Sequence, residues 1–214
     1  MCLLLLKPKG KTVSTEEMKK AWDRNGDGAS LMYRQNEIID NKLVKNKWRL
    51  QKGILEWKEF EKQKALWEDP AVELVAHLRW ASQGTGKGKA LCHGFDFYNK
   101  DLHDEGHRYL FHNGNFRFLQ PNMASSDTEI CANLILKEMT NEEAEKFLLE
   151  MAKKNYGKFV IYKSNGPIVI DDNRGIWEEG VYFSNLEHRK EKIISNVIHY
   201  HGMGYGEIEM WSKD

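Results

Sequence analysis

Cysteine is scarce in this chain, with three in 214 residues, at positions 2, 92 and 131. An odd, sparse set argues against a disulfide framework and for a reducing, cytoplasmic setting. Long apolar runs are missing too, and no stretch approaches the length needed to span a bilayer. Charge of one sign is equally absent, because Lys+Arg and Asp+Glu both number 32. That balance gives no reason to expect nucleic acid or a charged membrane surface as partner. Repeats, low-complexity segments and linkers are lacking, so residues 1–214 read as one domain. With 41% hydrophobic residues at this length, the chain can bury a real core.

What is present begins with "MCLLLL". Lys7-Pro8-Lys9-Gly10 ends the run after four leucines, which leaves no room for the apolar region and cleavage site of an export signal. Without an export segment, a lipid anchor at Cys2 is not expected either. Leu3 to Leu6 shows no alternation, the pattern of a strand buried on both faces. A cysteine directly before such a strand is either a core thiol or a nucleophile exposed by removal of Met1.

Ser14 and Glu17 form a capping-box pattern that starts a helix running to about Trp22. Residues 23–30 read as a turn, short strands follow near 30–34 and 46–51, and 56–68 reads as a helix closed by Pro70. Residues 72–80, β-branched and apolar, suit a central strand; 107–113 suits another, ending in an Asn113-Gly114 turn. Two helices are predicted over 128–139, capped by Asp127, and 141–154, capped by Asn141. A strand pair over 156–172 and strands over 181–187 and 206–211 complete the order. Helices and sheets therefore fall into separate layers.

Three motif-like stretches lose to plainer readings. Asp23, Asn25, Asp27 and Gly28 fill the first half of a calcium loop, but its twelfth position, where a bidentate Glu belongs, is Arg34. The glycines of 84–89 lack the Gly-Lys-Ser/Thr ending of a phosphate loop. His103 and His107 stand four apart, yet Gly106 spoils the helix that would set both on one face. His199 and His201 read as ordinary strand or surface histidines. No metal or cofactor is expected.

Cys2 and three polar clusters remain: His77-Leu78-Arg79-Trp80-Ala81-Ser82-Gln83-Gly84, His112-Asn113-Gly114, and Ser126-Asp127-Thr128-Glu129. Each alone has a structural explanation, as an ion pair, a turn or a helix cap. In this order they resemble the class II glutamine amidotransferase domain of the N-terminal-nucleophile hydrolase superfamily. That family shows Met-Cys, His-Thr-Arg-Trp-Ala-Thr-x-Gly, His-Asn-Gly and Ser/Thr-Asp-Thr-Glu in succession. Cys92-His93-Gly94-Phe95 is similar to its Asn/Cys-His-Pro segment, and 156–162 and 182–187 are similar to its closing strands. The short opening over 7–30 looks most like small stand-alone members from bacteria and their viruses. The likeness covers about residues 2–187, with two departures: Leu3 where larger members have glycine, and Gly94 where proline is usual.

The resemblance implies a four-layer α/β/β/α fold with two antiparallel sheets. It also implies hydrolysis of glutamine's side-chain amide through a Cys2 thioester. The base is the α-amine of Cys2, with an ordinary pKa of about 8, so Met1 must be removed. Asn113 and the Gly114 N–H hold the oxyanion. Arg79 forks onto the α-carboxylate, Ser82 assists, Asp127 holds the α-ammonium, and Trp80 and His93 belong to the substrate pocket. The glycine-rich 83–88 stretch is a lid. L-glutamine is then the ligand, and the ammonia acceptor is a separate ligase or synthetase. A silent descendant used as a binding or inhibitory module is the competing expectation, as is an amide hydrolase with another small substrate.

Overall fold

The computed structural model describes residues 2–39, 42–80, 88–101, 106–120, 125–163 and 165–190, while the side chains of 35–39 and 42–47 lie outside that description. Ser82, most of the expected lid, His103, His199, His201 and the strand expected over 206–211 also fall outside the described residues.

The chain runs β1 (Leu3–Lys7), α1 (Thr15–Arg24), β2 (Ala29–Ile39), β3 (Lys42–Ile54), α2 (Trp57–Glu61), α3 (Ala65–Glu68) and β4 (Leu74–Leu78). It continues with β5 (Phe95–Asp96), β6 (Tyr109–Gly114), α4 (Asp127–Leu134), α5 (Asn141–Lys153), β7 (Gly157–Lys163), β8 (Gly166–Ile170), β9 (Ile176–Glu178) and β10 (Val181–Phe183). A six-stranded sheet has the order β3-β2-β4-β1-β10-β9, and a four-stranded sheet the order β5-β6-β7-β8. Every pairing is antiparallel, so the chain is a mixed α+β protein with two antiparallel sheets. Among the described residues no helix is long and apolar enough to cross a membrane.

The unbroken leucine run has the cause its pattern suggested. Leu3 and Leu5 face a cluster with Met18, Trp22, Phe60 and Trp67 of the helices, while Leu4 and Leu6 face Val75, Phe111, Val160 and Tyr162. Both faces of β1 are thus dry, and each leucine contributes about 2 kcal/mol by leaving water. A third cluster joins Leu110, Phe159 and Ile161 of the four-stranded sheet to Cys131, Ala144, Leu148 and Ala152 of α4 and α5. Lys7 ends β1 fully buried, its ammonium donating to the carbonyls of Lys11, Asp69 and Val72. Burial lowers its pKa to about 8, with Asp69 and Glu73 pulling the other way.

Four local expectations are corrected. The helix over 56–68 is two short pieces, because Gln63, Lys64 and Leu66 bond three residues back and tighten the chain; the turn lets Trp67 stack on Phe60 at 4.9 Å. The strands near 30–34 and 46–51 extend into one long hairpin, carried by the β2–β3 ladder from Ala29↔Ile54 to Ile39↔Lys42. The helix over 128–139 ends at Leu134, before a separate 3-10 turn over Leu136–Glu138. The caps sit one residue earlier than expected: Ser126 rather than Asp127 on α4, and Thr140 rather than Asn141 on α5. In both, a hydroxyl accepts the third backbone N–H of the helix, and Thr140 closes a full capping box with Glu143. At α1 only half the box forms, because Ser14 accepts from the Glu17 N–H while the Glu17 carboxylate is drawn to His188 and Arg189.

Candidate active site

Cys2 stands immediately before β1, and the Leu3↔Leu78 register brings it to the end of β4. There the Trp80 N–H donates to its Sγ at 3.4 Å. Asn185, after β10, donates to the Cys2 carbonyl at 2.9 Å. Neighbours on both sides therefore hold the residue in place. Burial pushes the thiol pKa up; the Trp80 hydrogen bond and the Arg79 guanidinium oppose that, and Asp127 reinforces it. A thiol so placed is weakly ionised at neutral pH and depends on a base to act as a nucleophile.

The facing wall comes from the four-stranded sheet. Side chains alternate along β6, so His112 and Asn113 point opposite ways. His112 turns outward, where its Nδ1 meets the Thr128 hydroxyl at 2.9 Å and its Nε2 meets the Tyr156 carbonyl at 3.2 Å. A carbonyl only accepts, so Nε2 carries the proton and Nδ1 accepts from Thr128. Burial depresses the His112 pKa to about 4, keeping the ring neutral. Asn113 turns inward and donates from Nδ2 to the Ser184 hydroxyl at 2.7 Å. Ser184 is itself locked to Leu4 by a backbone bond of 2.8 Å and by accepting the Leu4 N–H at 2.9 Å. One serine thus joins the amide of one sheet to the strand that carries Cys2. An amide NH2 has two protons, so Asn113 keeps a second donor for a ligand. Gly114 follows where a Cβ would come within 2.1 Å of the Tyr156 carbonyl, so only glycine fits the β6–β7 approach.

Cys2, Trp80, Asn113, Gly114, Ser184 and Asn185 line one cleft of about 480 Å³. Four of the eight residues singled out from the sequence meet there: Cys2, Trp80, Asn113 and Gly114. Arg79 lies one residue behind that wall, buried, its backbone bonded to Gly28 and Asp27. Asp127 opens α4, where the helix dipole favours a carboxylate, and accepts from the Phe116 N–H at 2.7 Å and the Thr128 N–H at 2.8 Å. His93 is buried between layers instead. Its ring stacks on His77 at 3.8 Å, and its Nδ1 accepts the His112 N–H at 3.2 Å. Burial holds His93 well below, and His77 at about 3, so both rings are neutral. The Gly94 that follows has φ +93°, which proline's ring cannot reach, so the departure from the family segment has a backbone cause.

Ser184, Asn185 and Lys158 were not singled out from the sequence. Their signal was faint: a Ser-Asn pair directly after the apolar "VYF", and one lysine inside "YGKFVIY".

No family model matches the chain, and no curated protein matches it. Among solved structures, its fold is similar to glutamine phosphoribosylpyrophosphate (PRPP) amidotransferase from B. subtilis, solved with ADP and GMP. The TM-score is 0.51 at 17% identity, over 86% of this chain and 41% of that one. The present chain therefore spans about two fifths of that protein's length. At that identity the likeness is one of fold.

Proposed function

We propose that the chain is a class II glutamine amidotransferase-type glutaminase with a four-layer α/β/β/α fold. Three apolar clusters support the layering, one outside each sheet and one between them. The observation that carries the function is the single cleft shared by the Cys2 thiol and the Asn113 amide, joined through Ser184.

In this reading, removal of Met1 frees the Cys2 amine, which takes the thiol proton as sulfur attacks the side-chain carbonyl of glutamine. The oxyanion is met by the second Asn113 N–H and by the Gly114 N–H. The amine returns its proton to the departing nitrogen, ammonia leaves, and a glutamyl thioester remains. Water, deprotonated by the same amine, then releases glutamate. Arg79 binds the α-carboxylate with Ser82 assisting, Asp127 binds the α-ammonium, and Trp80 shapes the mouth. His93 contributes by positioning, since its Nδ1 holds the backbone of His112, next to Asn113. The ammonia passes to a separate ligase or synthetase.

The test is glutamate release from glutamine, with the intact mass showing whether Met1 is gone. An uncleaved N-terminal tag leaves the thiol but turns its base into an amide, so activity disappears with the tag and returns on cleavage. Full activity in the tagged form overturns the amine mechanism. Silence in every form, with Met1 retained, favours a binding module.

A further inference from the structure

The cleft that holds Cys2 continues past Asn113 along a wall of unusual charge. Arg117, Lys158 and Arg174 all line it, and among the described residues no Asp or Glu does. None of the three forms an ion pair among the described residues. Lys158 is the cross-strand partner of Asn113, and its ammonium donates to the Ser184 carbonyl. The same residue therefore receives the Asn113 amide and the Lys158 cation. Arg174 is braced by the Asn155 side chain and the Ala152 carbonyl, both neutral. The carboxylate acting on Lys158 is Asp171, whose oxygens already accept from the Asn173 N–H at 2.9 Å and the Gly175 N–H at 2.7 Å. Three cations facing one carboxylate that is already engaged by backbone N–H groups raise the free energy of the cleft, and an anion relieves it.

We infer that Arg117, Lys158 and Arg174 form an anion-binding subsite for a ligand whose reacting end reaches Cys2 and whose far end carries a carboxylate or phosphate. This deepens the amidotransferase reading and rests on it only for the chemistry at Cys2. A cleft of about 480 Å³ has room for more than one amino acid, so the anion belongs to a larger donor or to an acceptor bound beside the thioester. Guanidinium groups suit either oxyanion through paired N–H donors.

The test uses the thiol as reporter and needs no turnover. The full chain is alkylated with iodoacetate or iodoacetamide, and modification at Cys2 is followed by mass; Cys92 and Cys131, fully buried, act as internal controls. The ratio of anionic to neutral reagent rates at Cys2 should exceed that of free cysteine by about tenfold at low salt, and fall as salt is added. Arg117→Glu and Lys158→Gln should each lower it severalfold; Arg117 is exposed, so its replacement leaves the fold alone. Protection of Cys2 by inorganic phosphate or by glutarate supports the subsite and tells which oxyanion it prefers. A parent ratio equal to free cysteine, a ratio that both substitutions leave unchanged, or no protection by either anion overturns the inference. Glutamate release is measured on the same preparation. Turnover without anion preference removes only the subsite, and anion preference without turnover removes only the amidotransferase reading.

Discussion

The apolar cluster outside the six-stranded sheet and the space between the two sheets are built on different principles. Outside, Trp22, Phe60 and Trp67 pile ring on ring against Leu3 and Leu5, with centroids about 5 Å apart. Between the sheets, the apolar floor of Leu4, Leu6, Val75 and Val160 gives way toward Cys2 to His77, His93, Asn113 and Ser184. Ser30 and His77 oppose each other in the β2–β4 ladder, and among the described residues the Ser30 hydroxyl and both His77 nitrogens meet no hydrogen-bond partner. Buried orphans of this kind each cost about 1–3 kcal/mol. The outer cluster supplies stability that the inner space gives up, and the polar end of that inner space is where the proposed site lies.

The largest effect expected is on chemistry. Cys2→Ala should reduce glutamate release by more than about a thousandfold, while the melting temperature hardly moves, because the residue is only half-buried at a strand end. A large loss of stability would mean that Cys2 belongs to the core. Trp67→Ala attacks the other region: it should cost about 3–5 kcal/mol in urea unfolding yet leave KM for glutamine unchanged below the transition. An equal fall in kcat under folded conditions would break the separation of the two regions.

Asn113→Ala should lower kcat by about 10²–10³-fold with a stability loss of about 1 kcal/mol, the value of its bond to Ser184. If KM alone rises, the amide is a substrate contact and not an oxyanion donor. The smallest effect is read in pH. Burial, reinforced for His77 by His112 and Arg79, holds His77 at about 3 and His112 at about 4, against 6.5 when exposed. Between those limits the unfolded chain binds protons that the folded chain refuses. Stability is therefore full above pH 6.5, falls as the pH drops through that value, and keeps falling toward pH 4. His77→Leu should flatten this slope by up to about 1.4 kcal/mol per pH unit. An unchanged slope in urea midpoints would show that His77 is not buried neutral.

Much of this was legible in one dimension, for reasons that lie within a few residues. Four leucines without a polar break cannot have a wet face, so β1 had to be covered on both sides. The His112-Asn113-Gly114 triplet reads as a strand running into a turn, but pairing with Lys158 and Gly157 keeps Asn113 and Gly114 within β6, where alternation turns His112 and Asn113 to opposite sheet faces. Cap positions were legible only to within one residue, because Ser126 and Asp127 are both good caps and the choice depends on where the chain enters from. Asp127, released from capping, is instead held by Phe116, eleven residues away. Tertiary structure alone decided that Ser184 and Asn185 would reach residues some 180 positions earlier, since strand order sets β10 beside β1. It also decided that Lys158, an unremarked lysine inside an apolar strand, would lie across from Asn113 with its charge in the cleft. Local patterns specify which faces are dry; register between distant strands specifies which polar groups meet, and no short window of sequence contains that information.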